Sequence, residues 1–301
     1  MADMTTALIT GPTRSLGRVA ALALAEHPQV RDVVLLGRAG TALDEVAEQV
    51  RRRGAQAHAI GCDLADLSDV RAAASTVRDL VEAGDVRPLV ALIANAGFVS
   101  PDTRRASVDG HELTFAVNYL AHAQLIGDLT ATLATSSRIV LLGSNTYYAN
   151  FWRRLLKVPP AQWRDPIELA EPAAAEGHLG MTAYSDAKLA ILYYAHELQR
   201  RVAAGVNVIV YEPGWMPGSA LSRSAPPAVQ AIGRALGRIP GVATPEKSGP
   251  LLASVAVDER WSDLRDGAFV VRDRVTEVQP MAQDRARERR LWEATAELLG
   301  R

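Results

Sequence analysis

The sequence predicts an α/β fold built on a doubly wound parallel sheet, and three observations predict it. Short, nearly continuous aliphatic runs recur along the chain, longer stretches between them carry a three-to-four apolar spacing, and Gly or Pro flanks many of the short runs. Runs that are apolar at successive positions read as strands buried on both faces. Alternation with amphipathic helices then calls for parallel pairing through right-handed crossovers. No internal repeat, low-complexity tract or charged linker divides the 301 residues, so one domain over 1–301 is expected.

Taken in order, strands are expected at Ala7–Ile9, Val33–Leu36, His58–Ile60, Leu89–Ala94, Arg138–Leu142, Val206–Tyr211 and Ala268–Val271. Helices are expected over Leu16–Glu26, Leu43–Arg53, Val70–Val81, Leu113–Leu133 and Ala187–Val202. Two stretches break the rhythm. Between Asn145 and Ala183 lies an inserted segment without a clear period that holds Tyr147, Tyr148, Phe151, Trp152 and Trp163. A segment this long inside a compact domain is expected to serve function, and its aromatic content argues against disorder. Gly214 to Gly241, rich in Gly, Pro and Ala, is a second mobile-segment candidate.

Composition excludes several functions. Thirty-three Lys plus Arg against 34 Asp plus Glu leave a net charge of −1, which argues against a nucleic-acid or anionic-membrane binder held by bulk charge. The one cysteine, Cys62, rules out an internal disulfide framework and a multi-cysteine metal cluster, and it fits a reducing compartment. No apolar run approaches the roughly 18 residues of a membrane span, and no basic stretch opens the sequence, so a soluble cytoplasmic protein is expected. His122, His178 and His196 lack metal-ligand spacing, His196 is expected to be structural or exposed, and no metal is expected. There is no Gly-x-Ser-x-Gly elbow to support hydrolase chemistry. Only three of the 33 basic residues are lysines: Lys157, Lys188 and Lys247.

The first strand ends in Thr10-Gly11-Pro12-Thr13-Arg14-Ser15-Leu16-Gly17 and runs straight into a helix. Glycines at such a turn let main chain approach a pyrophosphate whose charge the helix N-terminus meets, although Gly11 and Gly17 could also serve the turn and its packing alone. Arg38, after the second strand, stands where a dinucleotide fold places the adenosine ribose. An acidic residue there would bind a 2′-hydroxyl; an arginine suits a 2′-phosphate, with Arg14 as a second cation, so NADP(H) is expected over NAD(H). Asp63, after the third strand, could accept from an adenine amino group or could cap the helix that starts near Asp66.

Tyr184-Ser185-Asp186-Ala187-Lys188 places a phenol and an ammonium four residues apart on one helical face. A free phenol titrates near ~10, and a neighbouring cation is expected to bring it down toward working pH. In a chain this poor in lysine, a lysine here points to a need for a compact ammonium rather than for any positive charge.

At this point the residues resemble the short-chain dehydrogenase/reductase family. The resemblance runs over nearly the whole chain, through Thr10-Gly11 to Gly17, Asp63, Asn95-Ala96-Gly97, Asn118, Ser144, Tyr184 with Lys188, and Pro213-Gly214, in the family's order. The C-terminal stretch through Arg289 to Glu293 is similar to the retinol-dehydrogenase-like and protochlorophyllide-reductase-like branch. The resemblance implies a Rossmann fold and a catalytic set of Asn118, Ser144, Tyr184 and Lys188. Tyr184 would be the general acid for ketone reduction or the base for alcohol oxidation, and Lys188 would lower its pKa and hold the nicotinamide ribose. Ser144 would hydrogen-bond the substrate oxygen, and Asn118 would position a water relaying protons toward Lys188. Gly11, Thr13, Arg14, Ser15, Leu16, Gly17, Arg38, Asp63, Leu64, Asn95, Ala96, Gly97, Tyr184, Lys188, Pro213, Gly214 and Met216 would surround the cofactor.

Three departures from the family pattern matter. Ser15 stands in place of the second glycine of the phosphate turn. After Pro213-Gly214 the chain reads Trp215-Met216-Pro217-Gly218-Ser219, leaving Ser219 as the replacement for a nicotinamide-contacting threonine. Ser144 and Tyr184 are 40 positions apart, a gap similar to the insertion of monomeric carbonyl reductases. That insertion implies a monomer or weak homodimer and a pocket walled by Tyr147, Phe151 and Trp152, suited to a bulky, apolar or aromatic substrate. The expected activity is NADP(H)-dependent interconversion of a ketone or aldehyde with an alcohol on such a small molecule. The alternatives are a C=C reductase of protochlorophyllide-reductase type and a catalytically inactive NADP-binding sensor.

Overall fold

A computed structural model describes residues 5–150, 153–154, 159–174, 180–216 and 242–301. Eight strands form one sheet: β1 (Thr5–Thr10), β2 (Val30–Gly37), β3 (Gln56–Gly61), β4 (Leu89–Ala94), β5 (Leu133–Leu142), β6 (Asn207–Glu212), β7 (Ala268–Val271) and β8 (Arg274–Val275). Their order is β3-β2-β1-β4-β5-β6-β7-β8, parallel throughout except for the β7–β8 hairpin. The expected sheet is thus present, with an antiparallel edge that the two-residue β8 is too short to announce in sequence. The order reverses between β1 and β4, and there the carboxyl ends of the strands open a crevice.

Strand periodicity divides each apolar run between two cores. Leu8, Val34, Leu36, Leu92, Ile139, Leu141, Val208 and Val210 face one side, whereas Ala7, Ile9, Val33, Leu35, Ala91, Ile93, Val140 and Ile209 face the other. Full burial of each aliphatic side chain contributes about 1.5–3 kcal/mol, which is why continuous runs rather than alternating ones form the centre. On the second face lie α1 (Ser15–Glu26), α2 (Thr41–Arg52) and, after the undescribed 217–241, the helix Pro245–Val257, which packs on α1. The first face carries α3 (Leu67–Glu82), α4 (Leu113–Phe115) and α5 (Ala121–Leu129). Further along the chain it carries α6 (Pro166–Ala170), α7 (Gly180–Gln199) and the C-terminal helix Arg285–Leu299. In chain order these last two helices of the protein are α8 (Pro245–Val257) and α9 (Arg285–Leu299).

The single helix expected over Leu113–Leu133 is instead broken. A π turn over Ala116–Leu120 joins α4 to α5, Thr130–Thr132 is a 3-10 turn, and Leu133 already belongs to β5, where it pairs with Leu89. β-branched threonines at 130, 132 and 135 favour extended backbone, and the strand partner decides the boundary. α7 begins at Gly180, inside the stretch expected to be irregular, so Tyr184 lies in its second turn. Most of α7 is buried around its whole circumference, which makes it the central helix of its layer.

Candidate active site

The phosphate turn comes first. Ser15 takes φ +47°, a left-handed backbone that costs a non-glycine residue about 1 kcal/mol. The departure from glycine therefore keeps the backbone shape rather than altering it. Gly17 is required by close approach, because a Cβ there would land on the Gly11 carbonyl and the Asn95 side chain. No side chain caps α1, and no carboxylate stands in its first turn. The free N–H groups of that turn suit an anion, which is the fit a diphosphate needs. Gly37 abuts the turn, its outward position 3.4 Å from Pro12 Cδ and 3.8 Å from Thr13 Cγ2. Thr13 thereby lies beside the end of β2, where Arg38 follows; Arg14, next in the turn, and Arg38 are both exposed. Leu16 and Gly17 are buried beneath the turn.

Asp63 is exposed beyond β3, and its carboxylate accepts from the Ala65 N–H at 3.0 Å. The cap of α3 is Asp66, which accepts from Ser68 and Asp69 N–H, so the capping reading of Asp63 is corrected. Leu64 packs against the first core. Asn95 Nδ2 donates to Thr10 O at 2.9 Å, and Ala96 lies against Gly11, tying β4 to the phosphate turn.

Asn118 sits buried in the π turn. Its Oδ1 accepts from Phe98 N–H at 2.9 Å, and its Nδ2 donates to Phe98 O at 2.8 Å. Gly97 makes this possible, since a Cβ there would stand 2.5 Å from Asn118 Oδ1. The side chain of Asn118 is thus occupied structurally, and its main-chain carbonyl accepts from the His122 ring at 3.2 Å.

Tyr184, Lys188 and Ser144 meet at the end of β5. The Ser144 hydroxyl accepts from Thr146 N–H at 3.3 Å and lies close enough to the Tyr184 phenol to favour its ionised form, and Lys188 Nζ lies 5.4 Å from the centre of the Tyr184 ring. Lys188 donates to Leu142 O at 2.6 Å. The expected downward shift of the phenol is not found: burial pushes Tyr184 above its usual range, Ser144 opposes this, and the buried Glu212 carboxylate adds to it. Burial also brings the Lys188 ammonium down to about 7. Both follow from one cause, because an apolar site disfavours phenolate and ammonium alike.

Beyond β6, Gly214 N–H donates to Glu212 Oε2 at 3.1 Å, and Ser248 Oγ donates to Pro213 O at 2.8 Å, holding the Pro213-Gly214 turn. Trp215 is 57% exposed and Met216 packs against the second core. Ser219 lies outside the described residues, as do Phe151, Trp152, Lys157 and His178.

The aromatic segment differs from the expectation at Tyr147. Tyr147 is fully buried and its hydroxyl accepts from Gln279 N–H at 2.9 Å, so it is core and not pocket wall. Tyr148 stacks edge-on to Tyr147 and under Arg153, and Trp163 meets Tyr193 at 4.7 Å. Ser185 and Asp186, the two residues after Tyr184, anchor the insertion: Ser185 Oγ donates to Pro159 O at 3.0 Å, and Asp186 accepts from Gln162 N–H at 2.6 Å. Sequence reasoning missed both, along with Glu212 and the buried His122, which falls four residues after Asn118. His196 is structural, paired with Glu288 at 2.9 Å. Among the described residues no group of three or more His, Cys, Asp or Glu could hold a metal ion, and no helix is long and apolar enough to cross a membrane.

A sequence profile described as short chain dehydrogenase matches residues 5–151. A polyprenol dehydrogenase from Mus musculus is 29% identical over 98% of this chain and 83% of its own length. A chloroplastic protochlorophyllide reductase from Chlamydomonas reinhardtii is 27% identical over 98% of this chain and 78% of its own. A WW domain-containing oxidoreductase from Drosophila melanogaster is 32% identical over 73% of this chain; the alignment spans only 51% of that relative's length. An uncharacterised Mycobacterium Paratuberculosis protein of solved structure superposes with TM-score 0.71 at 23% identity, covering 99% of this chain and 94% of that one. A short chain dehydrogenase from Burkholderia cenocepacia J2315, solved with NADP, gives TM-score 0.66 at 22% identity over 90% and 97%. These two likenesses concern the fold alone.

Proposed function

We propose that this chain, which belongs to the short-chain dehydrogenase family of oxidoreductases, interconverts a ketone or aldehyde with an alcohol at the expense of NADP(H). The observation that carries this reading is the convergence of Ser144, Tyr184 and Lys188 at the end of β5, with the lysine Nζ 5.4 Å from the centre of the phenol ring. When bound, the dinucleotide supplies a hydride and accepts one in the reverse direction. Tyr184, held as a neutral phenol, donates a proton to the carbonyl oxygen, and Ser144 steadies the oxygen as charge develops on it. Lys188 and the Asn118 carbonyl serve proton supply behind the phenol.

Gly11, Thr13, Ser15, Leu16 and Gly17 hold the diphosphate, with Asn95, Ala96 and Gly97 closing the turn from behind. Arg14 and Arg38 hold the 2′-phosphate, Asp63 and Leu64 the adenine, and Pro213, Gly214 and Met216 the nicotinamide end. The bulky, largely apolar or aromatic substrate rests on Phe151 and Trp152, outside the described residues, now without Tyr147. We take residues 1–301 as one cytoplasmic domain, a monomer or weak homodimer.

A second reading, reduction of a C=C bond, is supported by the relatives named protochlorophyllide reductase. A panel of ketones, aldehydes and alcohols followed at the nicotinamide absorbance tests the first reading. Turnover confined to conjugated C=C substrates, or dependent on light, would replace it with the second.

A further inference from the structure

His122 stands between the two ends of the site, with Nε2 3.0 Å from Thr10 Oγ1 and Nδ1 3.2 Å from the Asn118 carbonyl. The directions of these bonds follow from what Thr10 does elsewhere. Thr10 Oγ1 accepts from the N–H of Asn95 at 3.0 Å and of Ala96 at 2.9 Å. A hydroxyl oxygen with both lone pairs engaged has only its proton left to offer. Thr10 therefore donates to Nε2, the ring carries its one proton on Nδ1, and that proton goes to the Asn118 carbonyl.

We propose that His122 is a positioning residue for the acid–base site: as the neutral Nδ1–H tautomer it clamps the Asn118 main-chain carbonyl to the end of β1, joining the phosphate turn and the proton-transfer end in one hydrogen-bonded unit. This rests on the reading of Asn118, Tyr184 and Lys188 given above. The ring is 2% exposed, and it is shielded from protonation first by burial and then by the Lys188 ammonium on α7, while the Asn118 carbonyl opposes them; the balance brings it down to about 4. A second ring proton would point at Thr10 and force that hydroxyl to release a main-chain N–H, so the clamp holds only while the ring is neutral.

Nitrogen-15 NMR of the intact chain tests the tautomer without any variant. Of the six histidines, His122 should show the Nδ1–H form and no titration near the ordinary value of about 6.5. An Nε2–H form, or titration there, overturns the clamp. Kinetics test the positioning role. Asparagine can return an N–H to the Nδ1 position, whereas glutamine reaches only toward Nε2. His122→Asn should keep kcat within about threefold, and His122→Gln should lose about tenfold or more, at unchanged cofactor KM and with a displaced pH profile. Identical profiles and kcat for the two variants would overturn the positioning role. A wild type inactive toward every carbonyl would remove the acid–base reading and this role with it; a wrong tautomer in an active wild type would remove the clamp alone.

Discussion

Lys188 Nζ lies 5.4 Å from the centre of the Tyr184 ring and spends a hydrogen bond on the Leu142 carbonyl, at 2.6 Å, not on the phenol. The pair is thus a buried phenol above an ammonium that has itself become easy to deprotonate, down to about 7. For carbonyl reduction a phenol that holds its proton is the required donor, and the lysine beneath it is poised to replace that proton near neutral pH.

Tyr184→Phe removes the donor and leaves the aromatic packing. Turnover should fall by about 10³-fold or more, with the dinucleotide dissociation constant within about threefold of wild type. Residual activity near wild type, read at the nicotinamide absorbance, would exclude Tyr184 as the acid.

Lys188→Met should inactivate the enzyme and stabilise the fold. The native lysine titrates near 7 against about 10.5 unfolded, so its burial destabilises most below pH 7 and the effect fades as pH rises toward 10.5. After allowance for the lost Leu142 hydrogen bond, a gain of roughly 2–4 kcal/mol is expected at pH 7. Denaturant midpoints for the two proteins at pH 7 and 10 measure it; a gain that does not shrink at pH 10 would exclude this cause.

Arg38→Asp should move preference from NADP(H) toward NAD(H), with at least a tenfold loss in kcat/KM for the phosphorylated cofactor, about 1.4 kcal/mol. Steady-state kinetics with both cofactors decide it, and an unchanged ratio would remove Arg38 from the 2′-phosphate site.

Gly97→Ala puts a Cβ 2.5 Å from Asn118 Oδ1. The double hydrogen bond to Phe98 must give way, costing about 1–3 kcal/mol and disturbing the π turn. Thermal unfolding and kcat should both fall; a variant as stable and active as wild type would show the contact to be soft.

His122 is kept neutral, so the unfolded chain takes up a proton first as acid is added. Stability from this group is complete above about pH 6.5 and is lost as pH falls from there to about 4, by roughly 3 kcal/mol. Denaturation from pH 7 to 4 should show the drop in wild type and a smaller one in His122→Asn; equal slopes would assign the acid sensitivity to other groups.

Most of the strands could be read locally, because a run such as Leu89–Ala94 is apolar on every side chain and needs no partner to declare itself. Tyr184 and Lys188 were legible for the same reason: four residues on a helix is a local distance. His122 was not. Its meaning comes from Thr10, 112 residues away, and a histidine four after an asparagine signals nothing until β1 and α5 are adjacent. Tyr147 was misjudged on the same ground, since its hydroxyl is claimed by Gln279, 132 residues distant.

Short-range pattern alone therefore determined seven of the strands, the helices α1, α2, α3 and most of α7, the glycine-bearing turn after β1, the Tyr184–Lys188 spacing and the family, but not the helices α6, α8 and α9. Tertiary structure alone decided the β3-β2-β1-β4 order, the break of α4 and α5 at Asn118, the tautomer of His122 and the direction in which Tyr184 and Lys188 titrate. The reason is physical: periodicity and spacing act over a few residues of chain, whereas desolvation and hydrogen-bond direction depend on every group that packs against a site, whatever its distance in sequence.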